Sequence, residues 1–143
     1  MNARRCEFRF IADPKLREML QRHFGMIRGA YDMACYPWTI LLAGRSIEVI
    51  LLEGLNASWV RALASPKAPK GNSDIDSWGL ADLIAVSADL GLVPPSLPEL
   101  PQSAVRWRDL AGGGTLPNPS IEVWKEEAGV GLEVLLKIHR WLS

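Results

Sequence analysis

Residues 36–56, YPWTILLAGRSIEVILLEGLN, decide the fold. On a helical wheel their apolar side chains run almost all the way round, with Arg45 and Glu48 set into the middle. Such a pattern marks a helix buried on most sides, where a surface helix would show one apolar stripe. A membrane span would have to hide both charges at considerable cost, so the expectation is a buried helix in a protein that does not enter the membrane.

The flanking sequence supplies cover for this central helix. Upstream, Asp13-Pro14 offers a capping side chain followed by proline at the first helical position, where its missing N–H costs nothing. Leu16, Met19, Leu20, His23, Ile27, Ala30 and Ala34 then recur at helical spacing, with Lys15, Arg17, Glu18, Arg22 and Arg28 elsewhere on the wheel. The spacing predicts an amphipathic first helix over about 13–34, ended before Pro37 by a tight connection at Cys35-Tyr36. Ahead of it, residues 1–12 form an N-terminal arm in which CEFRFI alternates loosely but has no evident partner strand.

Downstream, Ala57 to Leu63 continues the helical pattern and is expected to extend the central helix. SPKAPKGNSD follows as a solvated loop. Asp76 or Ser77 is expected to cap a third helix, SWGLADLIAVSADLGL, which Gly91 stops. The prolines of VPPSLPELP forbid regular helix there. A short helix over about 102–111 and a GGGTLPNP link lead to a last helix, about Ser120 to Leu142, with Trp124, Ala128, Leu132, Leu135, Ile138 and Leu142 on one stripe. The expected fold is all-α: a single domain over residues 1–143, built as a four- to five-helix bundle around a buried central helix.

Composition narrows the function classes. The chain has 143 residues, enough for one domain with a sizeable core, and its 16 Lys and Arg balance its 16 Asp and Glu. No global basic field announces nucleic acid, although local patches remain open because net charge says nothing of distribution. Two cysteines, Cys6 and Cys35, are too few for a disulfide scaffold or a zinc site made by the chain alone. With no secretory signal legible in MNARRCEFRF, a reduced cytoplasmic setting is expected. No metal or cofactor is expected. GGG at residues 112–114 has neither a preceding strand nor a following Lys-Ser/Thr, so it meets neither phosphate-loop pattern. His23 and His139 sit in no metal-ligand spacing, and each is expected to be a hydrogen-bonded histidine at the edge of the core. The six tryptophans, Trp59, Trp78, Trp107, Trp124 and Trp141 among them, are expected in core or interface packing.

Arg45 and Glu48 stand apart. Three residues separate them on one face of a helix with little other polar surface, and a charge so placed needs a partner. They form either an internal ion pair that fixes packing or part of a polar pocket completed by Arg108 and Asp109.

LLAGRSIEVILLEGL, followed by WGLADLIAVSADLGLV and then VRWRDLAGG ahead of a long C-terminal helix, resembles the HEPN-like helical domains of bacteria. The likeness spans roughly residues 15–142. It implies a helical bundle, often a homodimer, from toxin–antitoxin and phage-defence systems, whose active members are metal-independent ribonucleases using an R-x(4–6)-H motif at a cleft between protomers. In that motif the histidine does acid/base work at the 2′-hydroxyl and the arginine steadies phosphate charge.

Carried over, Arg108 matches the motif arginine and Asp109 the polar residue after it, while Gly112 stands where the histidine belongs. The resemblance therefore implies a degenerate ribonuclease. Arg45, Arg106 and Arg108 are its candidate phosphate-binding residues, and Arg108, Asp109 and Glu48 its candidate catalytic ones, with His23 as a further substitute base. RNA and a cognate antitoxin protein are the implied partners. The alternative is a non-enzymatic structural or protein-interaction bundle in which Arg45, Glu48 and Arg108 form a buried polar network.

Overall fold

The computed structural model of the protein describes residues 6–95 and 121–143, with side chains from Trp124 onward in the second segment. Among these residues the regular structure is all helical: α1 (Pro14–Asp32), α2 (Tyr36–Ala57), α3 (Trp59–Ala64), α4 (Leu80–Asp89) and α5 (Ile121–Leu142), with a single 3-10 turn at Ile75–Ser77. The expected helix over 102–111, with Arg106, Trp107, Arg108 and Asp109, and the glycine link at 112–114 lie outside the described residues.

Helix α2 is the axis. Its 22 residues span about 33 Å at 1.5 Å per residue, and it packs on α1, α3, α4, α5 and the 3-10 turn. Ile40, Ala43, Ile47, Ile50, Leu51 and Leu55 are buried along it. All but Ile40 join Leu20, Phe24 and Ile27 of α1, Leu83 and Val86 of α4, and Leu135 and Ile138 of α5 in one core. Gly131 of α5 lies over Ala43 of α2, where an added Cβ would make an ordinary contact of 3.6 Å with the Ala43 Cβ. A satellite cluster joins Tyr36 and Ile40 to Trp124 and Ala128, with the Tyr31 and Tyr36 rings edge to face at 5.6 Å.

The ends of the helices follow local chemistry. The Asp13 carboxylate accepts the Lys15 N–H at 2.9 Å, with Pro14 in the first turn. At its other end α1 stops through Ala34, whose φ of +61° lets the Cys35 N–H return to the Ala30 carbonyl at 2.8 Å. Gly91, with φ of +78°, stops α4 in the same manner, the Leu92 N–H returning to the Ser87 carbonyl at 2.9 Å.

Two expectations need correction. Ala57 to Leu63 does not extend α2: Ser58 leaves helical geometry (φ −125°, ψ 42°) and a separate short helix begins at Trp59. Nor does α4 start at Asp76 or Ser77, because the Ser77 hydroxyl is engaged by Asn72 and the Asp74 carbonyl, so the helix starts two residues later behind Gly79. Of the described tryptophans, Trp78 and Trp124 are buried in the core, whereas Trp38, Trp59 and Trp141 are about half exposed.

The loop over residues 64–75 is tied down by its own side chains. Ser65 donates to Asp89 at 2.7 Å and the Trp78 indole to the Asn72 carbonyl at 3.1 Å. The N-terminal arm forms no strand among the described residues, yet it closes the core: Cys6, Phe8 and Ile11 are all buried, and the chain turns at Phe8, whose φ is +52°.

Candidate functional site

Two of the residues singled out in the sequence, Arg45 and Glu48, are described, and they are joined. One turn of α2 brings the Arg45 Nη1 to 3.1 Å from the Glu48 Oε1, where it donates to the carboxylate. Their exposures differ sharply, the Arg45 side chain being 53% accessible and that of Glu48 8%. The carboxylate is thus packed into the bundle and the guanidinium hangs outward from it. Such an arrangement fixes the direction of the guanidinium while leaving donors free for something outside the chain. Arg106, Arg108 and Asp109 lie outside the described residues, so the expected pocket is built from its α2 side only.

A third group joins from α1. His23 is partly buried, and its proton affinity is held below that of an ordinary histidine, first by burial and then by the positive charges of Arg22 and Arg45. The influence of Arg45 places its guanidinium within electrostatic reach of the ring across the α1–α2 contact. The His23 Nδ1 is buried and meets no hydrogen-bonding group among the described residues. Arg45 and Glu48 are thus joined on α2, and the positive charge of Arg45 acts on the neutral imidazole of His23 on α1.

Sequence periodicity placed His23 on the apolar stripe of α1 and supplied no sign that the charge of Arg45 would reach it. The signal exists only after α1 and α2 are packed. The expectation of a satisfied core histidine fails for the His23 Nδ1 and succeeds for His139, whose Nε2 accepts the Phe8 N–H at 3.2 Å.

Chemically, the His23–Arg45–Glu48 group can bind an anion and can accept a proton near it. A neutral imidazole beside a cation is a base in waiting: an arriving phosphate would offset the positive field that disfavours its protonation. Among the described residues no three His, Cys, Asp or Glu side chains converge as a metal site, and no helix is long and apolar enough to cross a membrane. No family model, curated protein or solved structure matches this chain.

Proposed function

We propose that this bundle is a HEPN-like, RNA-associated protein that keeps a phosphate-binding site at Arg45 and acts as a degenerate ribonuclease, binding RNA more readily than it cuts it. The observation that carries the reading is the Arg45–Glu48 pair, in which a buried carboxylate orients a guanidinium that is itself half exposed. Arg45 supplies the charge for a backbone phosphate, Arg106 and Arg108 are its proposed companions, and His23, whose ring feels the Arg45 charge, is a group able to take a proton. Asp109 and Glu48 remain candidates for the same role. The homodimer, the antitoxin partner and the toxin–antitoxin or phage-defence setting belong to this proposal through the resemblance in residues 15–142.

The test measures binding of a short single-stranded RNA, with cleavage followed in EDTA on the same samples. Arg45→Gln and Arg108→Ala are each expected to weaken binding by about tenfold, the scale of one lost charge-assisted contact, with the helical circular dichroism intact. Slow EDTA-resistant cleavage that disappears in His23→Ala would assign the base to His23. Wild-type affinity in both arginine variants would sink the reading.

One observation favours a second reading, a purely structural bundle: Glu48 is buried and engaged with Arg45, as a packing-fixing ion pair would be. Under that reading Arg45→Gln lowers the unfolding free energy and leaves RNA binding where it was.

A further inference from the structure

A different face of α1 carries a second feature. Arg17, Gln21, Gly25 and Arg28 are spaced four, four and three residues apart, so they share one side of the helix. The N-terminal arm lies beside them, and between arm and helix is a cleft of about 580 Å³, lined also by Cys6, Glu7, Arg9 and Phe24. That volume is in the range of small-molecule sites.

Its charge is lopsided. Three guanidinium groups face one carboxylate, Glu7, which pairs with Arg9. Arg17 is anchored, its Nε donating to the Ile11 carbonyl at 2.9 Å and its Nη2 to that of Ala12 at 3.4 Å, so its charge is fixed at the cleft wall. The Gln21 amide braces the opposite wall by donating to the Glu7 carbonyl at 2.8 Å. Arg28 makes no ion pair among the described residues, yet its field reaches the Cys6 thiol on the floor. Burial outweighs that field and pushes the thiol up to about 11, so Cys6 stays protonated at neutral pH. The floor is inert, which suits binding and not covalent chemistry.

Gly25 lines the same cleft. It lies inside α1, where glycine weakens a helix, and a Cβ there would meet no atom within 4 Å. Crowding does not require glycine at this place, and the room that it leaves belongs to the cleft.

We propose that this cleft binds a phosphate monoester. Three cations against one anion leave an excess matched to a dianion: Arg28 supplies the forked contact that a guanidinium makes with phosphate oxygens, and the anchored Arg17, eleven residues away along α1, adds its charge to the cleft. Gly25 admits the body of the ligand against the helix backbone.

The experiment is calorimetric titration of the full chain, in a buffer free of phosphate, with inorganic phosphate, adenosine 5′-monophosphate, adenosine and a short 5′-phosphorylated RNA. Adenosine 5′-monophosphate is expected to bind and adenosine to fail. Arg28→Gln should cost about tenfold or more in affinity. Gly25→Ala should raise the melting temperature while weakening binding, a divergence that an idle surface would not produce. The phosphorylated RNA binding no tighter than the mononucleotide identifies a free small molecule as the source of the phosphate, and tighter binding that Arg28→Gln abolishes identifies an RNA end. Equal binding of adenosine and its monophosphate overturns the proposal, as does a folded Arg28→Gln or Gly25→Ala protein with wild-type affinity.

Discussion

His139 and His23 are both partly buried, and burial lowers the proton affinity of both, yet only His139 is seen to spend a ring nitrogen on holding the fold. On α5, the His139 Nε2 accepts the Phe8 N–H, and its ring stands edge-on to Phe8 at 4.9 Å and to Phe10 at 5.5 Å. That bond requires the neutral ring with its proton on Nδ1, which faces the Ser143 hydroxyl at 3.4 Å. On α1, the His23 Nδ1 is buried without such a partner and the ring sits in the field of two arginines. One histidine is a clasp between the arm and α5. The other is held neutral by burial and by two nearby positive charges.

Stability should separate them most strongly. His139→Ala leaves the Phe8 N–H unpaired in a residue with no exposed surface, a loss of about 1–3 kcal/mol, and removes two edge-to-face ring contacts worth roughly 0.5–1.5 kcal/mol each. Urea unfolding at pH 7.5 should therefore show a drop of about 2–6 kcal/mol. His23→Ala should stay within about 1 kcal/mol of wild type, because the contacts it loses are offset by removing a buried nitrogen that has no partner. Equal costs for the two variants would erase the distinction.

The pH dependence comes next in size. Both histidines have lowered folded-state proton affinity, so below the unfolded value of about 6.5 the unfolded chain takes up protons that the folded chain refuses. Stability is thus full above about pH 6.5 and declines as pH falls toward the folded-state values, by at most about 1.4 kcal/mol per pH unit for each histidine. At His139 the charge of Glu7 works against the lowering without reversing it. Unfolding curves at pH 7.5, 6.5 and 5.5 should show this decline in the wild type, a smaller one in either single variant and the smallest in the double variant. A stability that rises on acidification over this range would mean that the folded rings gain protons, contrary to the environments described.

These contrasts also show where sequence reading works. The all-round apolar pattern of residues 36–56 makes α2 the axis because burial on every side demands it, and Asp13-Pro14 and Gly91 mark helix ends through local backbone chemistry. The break at Ser58 was not legible, because nothing in Ala57 to Leu63 opposes helix and the chain turns there for reasons of packing. The start of α4 was misplaced because Ser77, a good cap in isolation, is captured by Asn72. For the candidate site, the Arg45–Glu48 pair follows from spacing along one helix. The approach of His23 to Arg45, the clasp of His139 on Phe8 and the cleft over Gly25 all depend on which helix faces come together, and period and propensity carry no record of that.

The smallest expected effect sharpens the comparison most. Titration of the two imidazoles by NMR should place both below the ordinary histidine value in the free protein. An anionic oligonucleotide docked at Arg45 cancels part of the positive field at His23, so the His23 value should rise on binding, by a fraction of a unit to about one unit. The His139 value should stay fixed, since its ring is engaged with Phe8 and its nearest influential charge is Glu7. Raising the salt concentration should shrink the His23 response by weakening the phosphate contact, and Arg45→Gln should remove it. If both imidazoles move together, the oligonucleotide is altering the fold or coating the surface, and His23 has no special place in binding. If only His23 moves, the polar group between α1 and α2 is where the charge arrives.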